Sequence, residues 1–185
     1  MSKRNSLLEA TTARGKRSAN AKAPSRQVSN DGVGAPATRV LRQFRRVFNA
    51  VKTHFHQVEK KAGVGGAQVW ALSVIQAVPG IGVNELARTM DIHQTTASNL
   101  VKALVSNGLA SAERRGPDRR AVQLQILPAG VAVVGKAPGP FAGVLPEALN
   151  QLDLATLLQL ERDLSILIAV LHADEASAGI PLAPL

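Results

Sequence analysis

The stretch that decides the fold runs from residue 83 to residue 120. It reads VNELARTM (83–90), DIHQ (91–94), TTASNLVKALVSNGLA (95–110) and SAERRGPDRR (111–120). These segments predict a short amphipathic helix, a tight turn and a longer amphipathic helix, followed by a strand and a basic hairpin tip. This order of elements is typical of a helix-turn-helix with a β wing, a device that reads double-stranded DNA.

Each of the two helices in this stretch pairs an apolar face with a polar one. On the first helix, Leu86, Ala87 and Met90 are expected to point inward. Ile92 in the turn is expected to fill the space between the helices. The second helix is expected over about Gln94 to Asn107. Its predicted buried positions are spaced i, i+3, i+4, i+7, i+8 and are Ala97, Leu100, Val101, Leu104 and Val105.

The exposed face of the second helix carries the residues expected to contact DNA. They are Gln94, Thr95, Ser98, Asn99 and Lys102, with Thr96 near the edge of the face. An ordinary solvated helix face usually carries Glu and Lys pairs, whereas this face has no acid. Gln and Asn side chains can bond adenine edges, and Ser and Thr can bond several base edges or phosphates. The pattern favours insertion into a major groove over a plain solvated surface.

A two-stranded hairpin with a basic tip is predicted after the second helix. Leu109 to Arg114 is the first strand, and Arg120 to Leu127 is the second, with alternating apolar and polar residues. Arginines at such a tip suit contact with phosphates or with the minor groove. The predicted DNA contacts here are Arg114, Arg115, Asp118, Arg119 and Arg120. The alternative is a charged hairpin that only prevents edge aggregation.

Charge and composition narrow the class of function. Residues 1–120 hold 20 Lys/Arg against 7 Asp/Glu, and residues 121–185 hold 2 against 6, so the basic part coincides with the predicted helix-turn-helix. The absence of Cys excludes disulfides and thiolate zinc sites. We see no catalytic constellation and expect no enzyme, cofactor or metal. No apolar run is long enough for a signal peptide or a membrane span, which predicts a cytoplasmic, nucleoid-associated protein.

Two helices outside the predicted DNA-binding lobe have apolar faces that predict a homodimer. The first, from Thr38 to about Lys61, has apolar residues three and four apart, as in a heptad seam. The predicted seam residues are Leu41, Phe44, Phe48, Val51, Phe55 and Val58. The last, about Leu154 to His172, is capped by Asp153 and has a broad apolar face that a partner subunit would cover. The predicted divisions are a disordered basic tail (1–38), a DNA-binding lobe (66–127), a helical dimerisation region (39–62 and 128–172) and a loose C-terminal tail (173–185).

Over residues 39–172 the chain resembles the multiple-antibiotic-resistance regulator (MarR) family. The motifs that carry the resemblance are AQVWAL (67–72), NELARTM (84–90), TTASNLVKALVSNGLA (95–110), DRRAVQLQILPAG (118–130) and LDLATLLQLERDL (152–164). The resemblance implies a symmetric dimer with recognition helices in successive major grooves of a pseudo-palindromic site. It also implies that Asp118 braces the wing and that Arg119 and Arg120 approach DNA. Such proteins often repress nearby genes and release DNA when a small aromatic or anionic ligand enters the crevice between the lobes.

The sequence departs from the family pattern behind the wing. Pro128 stands where a threonine commonly opens the next helix, and Pro138, Pro140 and Pro146 interrupt what is usually one long helix. The residues predicted to border the ligand crevice are Phe44, Phe48, His54 and Trp70, with plain core or dimer packing as the alternative. Two rival functions stay open, an architectural DNA-binding protein and a winged-helix module that binds proteins.

Overall fold

The computed structural model describes residues 35–114 and 122–183, with Arg114 described by its backbone alone. Of the predicted basic tail (1–38), residues 1–34 lie outside the described residues, whereas residues 36–38 already belong to the first helix. The described chain is mainly helical with one antiparallel two-stranded sheet, which confirms the predicted fold class. Its elements are α1 (Pro36–Ala62), α2 (Gly66–Ala77), α3 (Val83–Thr89), α4 (Gln94–Ser106), β1 (Ala110–Arg114), β2 (Val122–Ile126), α5 (Pro128–Lys136), α6 (Val144–Asn150), α7 (Leu154–Leu171) and a 3-10 turn (Glu175–Gly179).

The core lies between α2, the α3–α4 pair and the sheet. Its fully buried side chains include Leu72, Ile75, Leu86, Leu104 and Leu124. Burying one such side chain stabilises the fold by ~1.5–3 kcal/mol. Because α4 contributes a whole face to this cluster, its rotation about its own axis is fixed.

Strand β2 is hydrogen-bonded along both edges. On one side its Leu124 lies opposite Ala112 of β1. On the other side the Leu124 amide donates to the Ile81 carbonyl oxygen at 3.0 Å, and the Leu124 carbonyl accepts from the Gly80 amide at 2.8 Å. The base of the wing is therefore held by β1 and by the loop between α2 and α3.

The last turn of α4 differs from the sequence expectation. Ala97, Leu100, Val101 and Leu104 are buried as predicted, but Val105 is 41% exposed. Val105 follows Leu104 by about 100° around the helix, so it lies at the edge of the apolar face. Leu109 takes the core position instead, after a turn in which Gly108 has a φ of 65° and the Leu109 amide donates to the Leu104 carbonyl.

The predicted seam of α1 is buried only in its second half. Val51, Phe55 and Val58 are buried, whereas Leu41 is 48% exposed and Phe48 is 61% exposed. The first half of α1 thus presents an apolar surface that the described part of the subunit does not cover.

The prolines divide the region behind the wing into three helices. Pro128 is tolerated at the first position of α5, where its missing N–H is not needed. Helix α5 then ends at Lys136, before Pro138 and Pro140, and α6 and α7 follow as separate helices. Asp153 caps α7 as predicted, because its carboxylate accepts from the Thr156 amide at 2.9 Å. None of the helices described has both the length and the apolar character that crossing a membrane requires.

The chain after α7 is folded against the body, although its sequence predicts a loose tail. His172 ends α7 with a φ of 50°, and Asp174 then caps the 3-10 turn by accepting from the Ala176 amide at 3.0 Å. Further along, Ala183 is 5% exposed within the core cluster. Local caps and an apolar crevice, rather than a helical period, order this segment.

Candidate nucleic-acid interface

One face of α4 is polar, exposed and free of acidic side chains. We call it the recognition face; it consists of Gln94, Thr95, Ser98, Asn99 and Lys102, which are exposed, and Thr96, which is half-buried at the edge. These are the residues that the sequence predicted for contact with DNA. The 13 residues of α4 span ~20 Å, and a B-DNA major groove about 12 Å wide admits a helix.

Ser98 presents hydrogen-bond acceptors on this face. Its hydroxyl donates to the Gln94 carbonyl oxygen at 2.8 Å, so its proton is used within the helix. The oxygen lone pairs remain available to base donors such as the amino groups of adenine or cytosine. Asn99 and Lys102 supply donors beside it, so the recognition face contains both hydrogen-bonding roles.

The N-terminal end of α4 is tied to the C-terminal segment through His93. This residue precedes α4 in an extended conformation, and its amide donates to the Gly179 carbonyl oxygen at 3.0 Å. Its Nε2 lies 2.7 Å from the Ala176 carbonyl oxygen. Because a carbonyl only accepts, Nε2 carries the proton and donates. The end of the helix that would enter a groove is therefore anchored by two hydrogen bonds from one residue.

The predicted wing contacts lie at the edge of, or beyond, the described residues. The backbone of Arg114 pairs with Val122 at the last register position of the sheet. Arg115, Asp118, Arg119 and Arg120 fall within residues 115–121, which the structure does not describe. The strands that carry the tip are in place, and contact between its arginines and DNA stays a prediction.

A mostly apolar cavity of about 340 Å³ lies beside the helix-turn-helix. Trp70 of α2, Met90 and Ile92 after α3, and Leu145 of α6 line it, and the C-terminal segment forms a further wall. Asp91 is the one charged residue among its described lining residues. A second cavity of about 430 Å³, lined along α1 by residues such as Phe48 and Lys52, adjoins it and shares four lining residues with it. Both volumes are in the range of small-molecule sites, ~300–1,000 Å³.

The four residues predicted to bind a ligand are dispersed in the structure. Trp70 lines the first cavity and Phe48 lines the second, while Phe44 lines neither and stacks on Phe48 with ring centroids 6.2 Å apart. His54 is buried, and its Nε2 donates to the Pro140 carbonyl oxygen at 3.0 Å. His54 therefore fastens α1 to the segment between α5 and α6.

Sequence reasoning missed the contribution of the C-terminal segment to this region. Ala178, Ile180, Pro181, Leu182 and Ala183 all line the first cavity. The only local signal was the alternation of apolar residues with prolines in GIPLAPL, which suits an extended apolar strand. The sequence predicts His93 as a turn residue, and nothing in the sequence pairs it with a partner 83 residues away.

Comparisons with known proteins find a family model and several solved structures that are similar to this chain. Residues 62–121 match the model of the MarR family. A MepR-like protein complexed with pseudoligands has a similar structure, with a TM-score of 0.51 and 16% identity over 72% of this chain and 94% of that one. At this identity the likeness shows the fold. The apo form of wild-type MarR from E. coli (TM-score 0.46, 16% identity, 72% and 98% covered) and the S. aureus MepR–DNA complex (0.48, 17%, 74% and 99%) are further similar structures. No curated protein sequence matches the chain.

Proposed function

We propose that this chain, of which residues 62–121 match the model of the MarR family, is a sequence-specific DNA-binding regulator of transcription. It acts in the cytoplasm as a homodimer that represses genes from a pseudo-palindromic operator, and a small molecule releases it from DNA. Its role is regulatory rather than catalytic.

The recognition face carries this proposal. Four buried side chains fix α4 so that hydrogen-bonding groups alone point outward at its N-terminal end. These hydrogen-bonding side chains add little to the stability of a helix that only faces solvent. In a major groove, by contrast, Gln and Asn can pair with adenine, and Lys can pair with guanine or phosphate. The face belongs to the part of the sequence, residues 1–120, that has an excess of Lys/Arg, which supports attraction of a polyanion.

Helix α7 supports the homodimer. It has 18 residues and buries none of them within the subunit. Isolated helices of this length are marginal in water. Large exposed apolar patches, such as a helix face of Leu, Ile and Val, are also rare on monomeric proteins. Ile166 is 67% exposed and Val170 is 70% exposed. We propose that a second copy covers α7 together with the exposed first half of α1, which would set two recognition faces side by side.

The cavity beside the helix-turn-helix supports an effector, and its lining favours one class. A carboxylate ligand would meet Asp91 and find no described basic side chain in the wall. Burying an unpaired anion in an apolar site is unfavourable. We therefore propose an uncharged, largely aromatic or aliphatic effector that packs against Trp70 and Met90.

Specificity is the decisive measurement. The full-length protein is titrated onto DNA from upstream of its own gene and onto random DNA of equal length, at one salt concentration. A regulator should prefer its own site by ~10³ or more. Near-equal binding would instead identify an architectural protein, and no binding to either DNA would favour a module that binds proteins.

Two arms of the same assay test the residues. Asn99→Ala should lose ~1–3 kcal/mol and relax preference at one base position. Asn107→Ala is the matched control, because Asn107 is exposed at the opposite end of α4. Replacing Arg119 and Arg120 by Ala should weaken binding to all sequences and lower its salt dependence. Unchanged binding in that variant would remove the wing from the interface.

A further inference from the structure

We infer that residues 174–183 form an autoinhibitory strap, which lowers affinity for DNA by holding acidic and carbonyl groups against the N-terminal end of α4. The inference rests on the proposed DNA-binding function and adds a regulatory element within the chain. We call these residues the C-terminal strap.

The strap is attached to His93, the residue immediately before α4. His93 bonds the carbonyl oxygens of Ala176 and Gly179, one through its ring and one through its amide. The fit is also steric, because a Cβ added at Gly179 would lie 2.5–2.7 Å from three atoms of the His93 ring. The strap thus contacts His93, the residue that immediately precedes Gln94 and α4.

The C-terminal end of the strap, residues 180–183, lies in the cavity beside the helix-turn-helix. Ile180 to Ala183 line the same cavity as Trp70, and the buried Ala183 belongs to the core cluster that includes Phe55 of α1 and Ala67 of α2. A Cβ added at Gly66 would lie 3.2 Å from the Ala183 Cβ. The strap therefore bridges the recognition helix and the helical region that we propose for dimerisation, across the crevice proposed for an effector.

The charge of the strap gives the direction of its effect. Asp174 and Glu175 begin it, and Glu175 shares a surface hollow with Arg88, Asp91 and His93. DNA phosphates approaching α4 would meet these carboxylates, and the strap's carbonyls add partial negative charge. Arg88 is the basic side chain in the hollow and offsets part of this charge. Like-charge repulsion therefore weakens DNA binding while the strap is seated, and its release strengthens binding.

Two variants detach the strap without touching the recognition face. One ends the chain after Ala173. The other is Gly179→Val, whose backbone conformation any residue adopts, so only the clash with the His93 ring is introduced. Each should bind its own upstream DNA about 3- to 10-fold more tightly at low salt, and the gain should shrink at high salt. Ala173→Val is the matched control, since it adds bulk just outside the strap.

A charge variant and the fluorescence of Trp70 separate the effect of the strap's charge from the effect of its detachment. Asp174→Asn with Glu175→Gln keeps the strap seated and should recover part of the gain. Trp70 is the single tryptophan of the chain and lines the same cavity, so detachment should shift its emission to longer wavelength. The charge variant and the control should leave that emission unchanged.

The outcomes distinguish this inference from the proposed function. If the wild-type protein shows no preference for its own upstream DNA, the proposed function fails first. If the wild type binds specifically but truncation leaves affinity unchanged or lowers it, autoinhibition is refuted. An unshifted Trp70 emission in both detached variants would show that the strap does not occupy the crevice.

Discussion

A methyl group added at Gly130 tests how tightly α5 is fitted to the base of the wing. Gly130 lies in the first turns of α5 and is buried. An alanine Cβ there would collide with the Leu109 carbonyl oxygen and lie 2.8 Å from Ile126 Cγ1 and 3.1 Å from Leu72 Cδ2. The carbonyl cannot turn away freely, because it accepts a hydrogen bond of 3.0 Å from the Leu127 amide.

The expected magnitude follows from two opposing effects. Overpacking of a core usually destabilises by ~1–3 kcal/mol, and straining the Leu127–Leu109 hydrogen bond removes ~0.5–1.5 kcal/mol more. The higher helix propensity of alanine relative to glycine stabilises a helix by ~1 kcal/mol and opposes these two losses. Gly130→Ala should therefore lower the free energy of unfolding by about 2 kcal/mol, which for a chain of this size lowers Tm by ~4–8 °C.

Gly135→Ala on the same helix is the matched control. A Cβ at Gly135 would meet nothing within 4 Å, so this variant should keep the propensity gain without the clash. Thermal unfolding is followed by circular dichroism at equal subunit concentration, since a dimer's Tm depends on concentration. A Gly130→Ala protein as stable as wild type would show that α5 is not seated against the Leu109 carbonyl.

Three further predictions concern the helix cap, the core and the proposed dimer. The Thr156 amide and then its hydroxyl hold the pKa of Asp153 below its usual 3.8, so its contribution to stability is present above about pH 4 and lost as pH falls through the lowered pKa. The Asp153→Asn variant should therefore lose less helix content than the wild type as pH falls through this range. Identical acid titrations of the two proteins, followed by circular dichroism, would contradict the cap. Leu104→Ala should lose ~2–5 kcal/mol in urea unfolding and Val105→Ala less than ~1 kcal/mol, because only Leu104 is fully buried; equal losses would refute the burial of α4. Ile166→Glu should shift the sedimentation of the protein to that of a monomer, and an unchanged dimer would exclude the exposed face of α7 as the interface.

Periodicity was enough to locate the helix-turn-helix. The 3.6-residue spacing of Ala97, Leu100 and Leu104 and the alternation of Val122 with Leu124 depend on local geometry alone. The cap at Asp153 is equally local, since its partner lies three residues away. The sequence therefore predicts these elements within a residue or two. The recognition face follows from the same spacing, because it is the side of α4 left over after burial.

Contacts between distant residues were decided only by the tertiary structure. Val105 is apolar and at helical spacing, yet Leu109 displaces it from the core once Gly108 turns the chain. Nothing in the sequence distinguishes the roles of His54 and His93. In the structure His54 bonds the Pro140 carbonyl and fastens α1, whereas His93 bonds the Ala176 carbonyl and anchors the C-terminal strap.

The sequence by itself determined the winged helix-turn-helix, the exposed polar face of α4 and the apolar faces of α1 and α7. These depend on periods of a few residues, which a single chain segment displays. Only the tertiary structure placed Ala176 and Gly179 against His93 and closed the cavity beside Trp70. Such contacts join carbonyl groups and small residues that carry no periodic signal, so their partners become apparent only when the chain is folded.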